Sequence, residues 1–258
     1  MGEAARRAVL GLAGLTVLAE VAYPLVGESA RSGLTVATAC CFFLASVTHA
    51  AATRGAAWTA LFVAVTAGGG LLAEAVGVAT GLPFGDYAYA GSLGAKVLGV
   101  PLVIPLAWTM MAYPAYVVAG RLTSRRIPHG LLTGAALASW DLFLDPQMVD
   151  AGHWHWADPT PALPGVPHVP ISNYAGWLVV AAVMGLLLVL LLPRRTAPSD
   201  AVPIGLYLWT YASSVLGHAA FFGLPGSALW GAIGMGLVAV PVAAGLNWRP
   251  ALAAGRRA

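Results

Sequence analysis

The sequence has few charged residues, and this shortage excludes most soluble folds. Asp, Glu, Lys and Arg make up 9% of the 258 residues, whereas hydrophobic residues make up 59%. A soluble domain carries about 25% charged residues. Apolar stretches of roughly 20 residues, the length that a helix needs to cross a bilayer, recur along the whole chain. The composition therefore predicts an all-α integral membrane protein.

Cysteine, internal repeats and concentrated charge are also scarce or absent. The two cysteines, Cys40 and Cys41, are adjacent in an apolar stretch, where neighbouring thiols rarely bridge. A disulfide scaffold is therefore not expected. The net charge of +3 comes from cations dispersed among short loops, which argues against a nucleic-acid partner. With no repeat or long linker, residues 1–258 are expected to form a single membrane-embedded helical domain.

Eight apolar segments predict a bundle of about eight transmembrane helices, or seven if the fifth segment is too short to cross. The segments are 8–27, 33–52, 57–79, 100–120, 129–149, 173–193, 201–222 and 227–246. The first one runs on through Glu20 and Pro24 without a small-residue cleavage site. We therefore interpret it as a retained helix and not as a signal peptide.

The basic residues predict which ends of these helices face the cytoplasm, because Lys and Arg collect in cytoplasmic loops. If the N-terminus is cytoplasmic, only Arg31 and Lys96 of the thirteen basic residues lie on the opposite side. The C-terminal arginines Arg249, Arg256 and Arg257 join the cytoplasmic majority. The pattern predicts a multi-pass protein of the cell membrane with both termini in the cytoplasm.

Four carboxyl groups lie late in outward-running segments, so they are expected in the same outer half of the bilayer: Glu20, Glu74, Asp141 and Asp145. An ionisable group in a span costs about 2.5–3.5 kcal/mol on insertion scales and is a functional candidate. Asp141 and Asp145 are four residues apart, which places both on one face of a helix. Because joint ionisation of such a pair is unfavourable, one would keep its proton near neutral pH, as a general acid must. Alternatively, Asp145 ends a helix beside Pro146 and Asp141 accepts a hydrogen bond from a neighbouring helix.

The two glutamates have a stronger structural alternative. Each is a single carboxyl that can be a packing partner or can pair with Arg31 or Lys96. The glycines at 68–70 precede Glu74 by about one turn and permit either a close helix approach or a bend. Both effects would aim Glu74 inward.

Aromatic residues gather near these acids. Two long outer loops, 80–99 and 150–172, are rich in Gly, Pro and aromatics, and six of the nine tryptophans lie toward the outer side: Trp108, Trp140, Trp154, Trp156, Trp177 and Trp230. An interfacial aromatic belt explains part of this distribution, but not tryptophan beside acids in a Gly/Pro-framed loop. An apolar pocket with aromatic walls and a protonated carboxyl suits a carbocation, because ring faces stabilise positive charge without acting as bases.

A metal site is the alternative use of His153 and His155, which lie close in sequence to the two aspartates. Two imidazoles beside two carboxylates are ligands that iron or zinc accept. However, the His-x-His spacing is common without metal, and His49 and His129 are predicted near the cytoplasmic side. We therefore predict no metal and no cofactor.

Four motifs resemble the carotenoid biosynthesis protein family of integral-membrane carotenoid hydratases. They are GLPFGDYAY at 81–89, GVPLVIPLAWTMMAY at 99–113, WDLFLDPQMVDAGHWHW at 140–156 and GVPHVPISNYAGW at 165–177. The resemblance covers a motif-bearing core at 81–177. It implies addition of water across the terminal C1=C2 double bond of an acyclic ψ-end carotenoid, as in bacterioruberin-type pigments. It also implies a lipophilic polyene partner and association with other membrane enzymes of the pathway.

The resemblance assigns no residue, so the expected roles follow from the chemistry. Asp141 or Asp145 is expected to donate the proton that creates a tertiary cation, with Glu74 and Asp86 tuning the donor or orienting water. The residues expected to bind substrate or water are Tyr87, Tyr89, Trp108, Trp140, Trp154, His155, Trp156, Asn173 and Trp177.

Three alternatives begin from the same residues. A carotenoid or terpene cyclase uses the same protonation but captures the cation with a second double bond. A prenyltransferase would use Asp141 and Asp145 as a DxxxD magnesium-diphosphate motif, but it needs a second acidic motif and more basic residues than the outer side offers. A transporter or pigment-binding scaffold would use the intramembrane acids without catalysis.

Overall fold

Ten helices make up most of the computed structural model, which describes the backbone of residues 1–254 and the side chains of residues 1–245. The helices are α1 Glu3–Ala22, α2 Glu28–Arg54, α3 Ala56–Val63, α4 Gly69–Thr80, α5 Val103–Leu122, α6 Arg126–Ala138, α7 Asp141–Asp150, α8 Ile171–Leu191, α9 Ala201–Ala220 and α10 Pro225–Ala254. A 3₁₀ turn, Tyr23–Leu25, follows α1, and a π-helical segment, Ala64–Gly68, joins α3 to α4. The three C-terminal arginines, Arg249, Arg256 and Arg257, are not among the residues whose side chains the structure describes.

Six segments of the described chain are long and apolar enough to cross a membrane, which confirms the predicted class of multi-pass helical membrane protein. They are Glu3–Leu25, Glu28–Arg54, Ala56–Thr80, Val103–Leu122, Ile171–Leu191 and Pro225–Gly245. Helix α9 matches the predicted segment 201–222 in position but is not among these six.

The fifth predicted segment, 129–149, is not one helix. Helix α6 ends at Ala138, and α7 begins at Asp141. The last turn of α6 tightens, since the N–H of Trp140 donates to Leu137 O at 3.2 Å and Ser139 Oγ donates to Ala136 O at 3.1 Å. Such local bonds compete with continuation of an α-helix. The break corrects the prediction of an uninterrupted fifth span.

Arginine side chains meet at the end of the bundle where α2 and α5 finish. Arg54 is 4% exposed and pairs with Asp200 at 2.8 Å, while Arg121 approaches the other oxygen of that carboxyl at 3.2 Å. The hydroxyl of Tyr113 accepts from Arg54 and lies 2.7 Å from His49 Nδ1. This cluster ties α2 and α5 to the start of α9.

Glycines allow α6 and α8 to cross at close range. A Cβ on Gly134 would lie 2.5 Å from Ala182 Cα, and one on Gly185 would clash with the carbonyl of Gly130. Small residues four apart, as in Gly130 and Gly134, are typical of such crossings in membranes, where packing drives helix association. The crossing holds α8, which carries Asn173, against α6.

We expect Gly134→Ala to lower the free energy of unfolding by about 1–3 kcal/mol, because backbone atoms of α8 cannot move aside without separating the helices. Thermal unfolding in detergent measures this change. Gly14→Ala is the matched control, since a Cβ there meets open space. Equal thermal stability of the two variants would contradict a stabilising role for the α6–α8 crossing.

The two long loops pair with each other at the opposite end of the bundle, which we call the loop end (residues 81–102 and 151–170). Strand β1, Tyr87–Tyr89, runs antiparallel to β4, Trp154–Trp156, with Tyr87 opposite Trp156 and Tyr89 opposite Trp154. Two smaller hairpins, β2 Lys96–Val97 with β3 Val100–Pro101 and β5 Ala162–Leu163 with β6 Val166–Pro170, complete the loop end.

Candidate active site

A cavity of about 470 Å³ lies beneath the loop end. Side chains from α1, α2, α4, α5, α7, α8 and α9 line it, together with residues of β1 and β4. The lining is mostly apolar, and it includes three of the four carboxyl groups predicted from the sequence: Glu20, Glu74 and Asp145. The fold therefore gathers these acids from three separate helices.

Asp145 faces the cavity, and Asp141 lies behind it at 0% exposure. Asn173 Nδ2 donates to Asp141 Oδ2 at 2.8 Å and also donates to Asp145 Oδ2. Trp154 Nε1 donates to Asp145 Oδ1 at 3.0 Å. Asp141 Oδ1 is buried without a hydrogen-bond partner among the described residues. The two carboxyls thus lie on one side of α7, as their spacing predicts, and they share one amide donor.

Glu74 accepts three hydrogen bonds inside the protein. Tyr89 Oη and Tyr87 Oη donate to its Oε2 at 2.7 and 2.5 Å, and Trp108 Nε1 donates to its Oε1 at 3.0 Å. Burial, and after it the charge of the Glu74 carboxyl, raises the pKa of Tyr87 and Tyr89. Both phenols therefore keep their protons. An ionised carboxylate only accepts hydrogen bonds, so the three donors around Glu74 suit a carboxylate.

Two glycines make room for these donors. Gly70 lies one turn before Glu74, and a Cβ there would lie 2.6 Å from Trp108 Cγ. Gly77 lies three residues after Glu74, and a Cβ there would lie 2.9 Å from Tyr87 Oη. The glycine run at 68–70, for which the sequence allowed close approach or a bend, thus permits close approach of an indole that bonds to Glu74.

Aromatic rings form the walls of the cavity. Trp108 and Trp177 stack with centroids 4.0 Å apart and planes at 6°, and Trp140 meets Trp177 edge-on at 6.3 Å. Tyr87 and Trp156 close the loop side at 5.7 Å. Faces and edges of rings thus surround the space beside Asp145 and Glu74.

The β1–β4 pair explains the alternation of aromatic residues in the two loops. Successive side chains of a strand point to opposite faces. Tyr87, Tyr89, Trp154 and Trp156 therefore share the cavity face, whereas His155 is on the other face and exposed. The structure therefore does not bring His155, an expected substrate-binding residue, to the cavity.

Asp86 is the second predicted site residue that lies outside the cavity. Its side chain is exposed, and its backbone carbonyl accepts from the N–H of Ala157 to extend the strand pairing. It does not line the cavity and does not contact the donor pair. The remaining predicted residues at the site all line the cavity except Asp141.

His153 also points away from this cavity. It is 1% exposed, and its Nδ1 lies 2.7 Å from Ser92 Oγ. Burial lowers the pKa of its imidazole, so it joins the two loops as a neutral ring. Among the described residues, no group of three His, Cys, Asp or Glu side chains is arranged to hold a metal ion.

Sequence reasoning missed three polar residues near the cavity. Trp209 Nε1 donates to Glu20 Oε2 at 2.6 Å, and both residues line the cavity. Gln147 lines it next to a buried histidine, His218 of α9. In the sequence, Gln147 and His218 are recognisable only as polar residues within apolar helices. Their contact is visible only in the fold.

The cavity opens sideways between α1 and α9. Its exposed lining residues all belong to these two helices or to the turns that follow them: Val21, Leu25, Ala212, Leu216 and Phe221. Leu25 is 72% exposed and Leu216 60%. Exposed leucines on membrane helices face lipid, so the mouth opens toward the bilayer.

The fold and the site together define a polytopic membrane protein with an acid-bearing aromatic cavity that opens to lipid. The model of the family described as carotenoid biosynthesis protein matches residues 33–238, and the chain belongs to that family. This match confirms the resemblance seen in the motifs.

A relative in this family carries a more specific name. The bisanhydrobacterioruberin hydratase of Haloarcula japonica is 36% identical over 119 residues, which cover 44% of this chain and 39% of the relative. The match therefore spans well under half of the relative's length. No solved structure matches the chain.

Proposed function

We propose that this protein is a carotenoid hydratase that adds water across the terminal C1=C2 double bond of an acyclic ψ-end carotenoid. The observation that carries the proposal is the buried carboxyl of Asp145 inside an aromatic cavity with a mouth toward the membrane. The name of the relative supports the reaction class. The bilayer supplies the polyene, and we propose the cell membrane as the location.

Protonation is the first step of the proposed reaction. Asp145 donates a proton to C2, and the positive charge develops at the tertiary carbon C1. Asp141 lies directly behind Asp145 and shares Asn173 with it, so ionisation of both carboxyls is unfavourable and the pair retains one proton. That proton makes Asp145 an acid inside an apolar site.

The cation is then stabilised and captured. Ring faces of Trp108, Trp140 and Trp177 and the Glu74 carboxylate lower its energy. Water adds to C1, and the oxonium proton returns to Asp145. The net change is one water added, with no electron transfer, so we propose that the protein needs no cofactor.

The alternatives make different demands on the cavity. A diphosphate substrate calls for basic side chains, and neither Lys nor Arg belongs to the lining within the described residues. A cyclase must keep water away from the cation, whereas the site places Asn173 and Gln147 among the aromatic rings. These polar groups favour hydration.

Mass spectrometry of pigments from cells that make an acyclic carotenoid tests the reaction. Expression of the wild-type chain is expected to add one water per reacting end. A new product with the mass of the substrate would identify a cyclase. Unchanged pigment, despite folded protein in the membrane and several acyclic carotenoids supplied, would contradict catalysis.

The mouth between α1 and α9 predicts where a bulky side chain blocks the substrate. We expect Ala212→Trp to lower kcat/KM for the full polyene by roughly tenfold, equivalent to about 1.4 kcal/mol. Initial rates with purified, reconstituted protein measure the effect. Ala219→Trp is the control, because Ala219 is exposed on the same helix but does not line the cavity. Equal losses in both variants would contradict access through this mouth.

A further inference from the structure

Gln147 connects the cavity to a buried polar pair behind it. It lies two residues after Asp145 on α7, and both side chains line the cavity. Its amide contacts His218 of α9, which in turn contacts Ser227 of α10. His218 is 0% exposed and Ser227 is 1% exposed. The hydrogen bonds of this pair determine which end of the amide faces the cavity.

Pro146 fixes the direction of the Ser227 hydrogen bond. In an α-helix the carbonyl of Leu142 accepts from the N–H of residue 146, and proline has none. Ser227 Oγ lies 2.7 Å from that carbonyl oxygen, which can only accept and needs a partner in the interior. The single hydroxyl proton of Ser227 is therefore donated to Leu142.

Because Ser227 donates its single hydroxyl proton to Leu142, it can only accept from His218, and this determines the tautomer of His218. Ser227 Oγ lies 2.8 Å from His218 Nδ1, so Nδ1 carries a hydrogen and donates to the hydroxyl oxygen. Phe143 and Phe222 pack against the imidazole with centroids at 5.2 and 5.6 Å, and its hydrogen bonds in the described chain include no carboxylate. A charged ring is costly in such surroundings. The ring is neutral, and Nε2 is an acceptor.

The acceptor at His218 Nε2 orients Gln147. The structure has Gln147 Oε1 3.3 Å from Nε2, and two acceptors cannot bond. A half-turn of the amide exchanges oxygen and nitrogen with almost no change of shape. We infer that Gln147 donates its amide N–H to His218 and presents its carbonyl oxygen to the cavity, where it holds the water that captures the cation. This inference rests on the proposed hydration.

A neutral amide oxygen suits this role chemically. It accepts a hydrogen bond from one proton of the water and leaves the oxygen lone pair free to attack C1. It does not take the proton, which passes to the Asp145 carboxylate after the C–O bond forms and regenerates the acid. Residues two apart on an α-helix do not share a face, so Asp145 and Gln147 project from different sides of α7, and both line the same cavity. Acid and water therefore reach the substrate inside one cavity.

The test separates protonation from water capture. Purified protein is reconstituted with the acyclic carotenoid in D₂O, and two products are measured: hydrated carotenoid, and unhydrated carotenoid that has gained deuterium by reversible protonation. In Gln147→Met, which keeps the length of the side chain, we expect hydration to fall roughly tenfold or more while deuterium exchange stays within about twofold. Hydration at the wild-type rate, or equal loss of both reactions, would overturn the inference.

Ser227 provides a second, independent pair of variants. Ser227→Ala removes the hydroxyl that fixes the tautomer of His218, and we expect it to lower the ratio of hydration to exchange. Ser227→Thr keeps the hydroxyl, and we expect it to keep the wild-type ratio. An unchanged ratio in Ser227→Ala contradicts the orientation argument even if Gln147→Met does not fold. A wild-type protein that neither hydrates nor exchanges would instead contradict the proposed function.

Discussion

Asp145→Asn is expected to abolish measurable hydration, with a loss of roughly 10²–10⁴ in kcat, the contribution of a positioned general acid. The variant preserves shape, and its amide oxygen can still accept from Trp154 Nε1. It removes the acidic proton at the wall of the cavity, and its NH₂ group replaces the oxygen that accepts from Asn173 Nδ2. Initial rates with reconstituted protein and an acyclic carotenoid measure the loss.

Asp141→Asn is the matched comparison. Asp141 is bonded to the same Asn173 but does not line the cavity, so we expect a smaller fall in rate. We also expect a shifted alkaline limb of the pH–rate profile, because the reaction requires the protonated acid. A larger loss in Asp141→Asn than in Asp145→Asn would reverse the assignment of the proton donor.

Glu74→Gln is expected to lower kcat by roughly 10²-fold, the effect of removing a preorganised electrostatic group. The substitution removes the negative charge that faces the cation, and the new NH₂ group opposes one of the donors Tyr87, Tyr89 and Trp108. Rates and thermal unfolding of the same preparation distinguish catalysis from packing.

Tyr89→Phe is the control for this position, because it removes one donor and leaves the carboxylate in place. We expect Tyr89→Phe to lower kcat less than Glu74→Gln does. A Glu74→Gln protein with lower thermal stability but an undiminished rate would assign Glu74 to packing alone.

The sequence predicts the helical membrane class and the acid pair because both depend on local patterns. Apolar length and the four-residue spacing of Asp141 and Asp145 need no tertiary information. Proximity of Glu74 to Trp108 was not predictable in the same way, since it requires the close approach that Gly70 allows.

The positions of His155, Asp86 and Gln147 have identifiable physical causes. The alternation Trp154–His155–Trp156 has the period of a strand, which places His155 on the face opposite the two tryptophans. Asp86 lies in a loop, where its charged side chain is exposed. Gln147 was missed because its orientation depends on Ser227, 80 positions later, and on a carbonyl that Pro146 leaves without its helical donor.

Heavy-oxygen water distinguishes hydration from isomerisation in a reaction with the purified protein. The reaction contains only the reconstituted wild-type chain, an acyclic ψ-end carotenoid and H₂¹⁸O, with a chelator and no added cofactor. We predict a tertiary alcohol whose oxygen is ¹⁸O, and we expect this alcohol to be absent from the Asp145→Asn reaction. An isomer of the substrate without added oxygen, or an alcohol formed equally by Asp145→Asn, would contradict it.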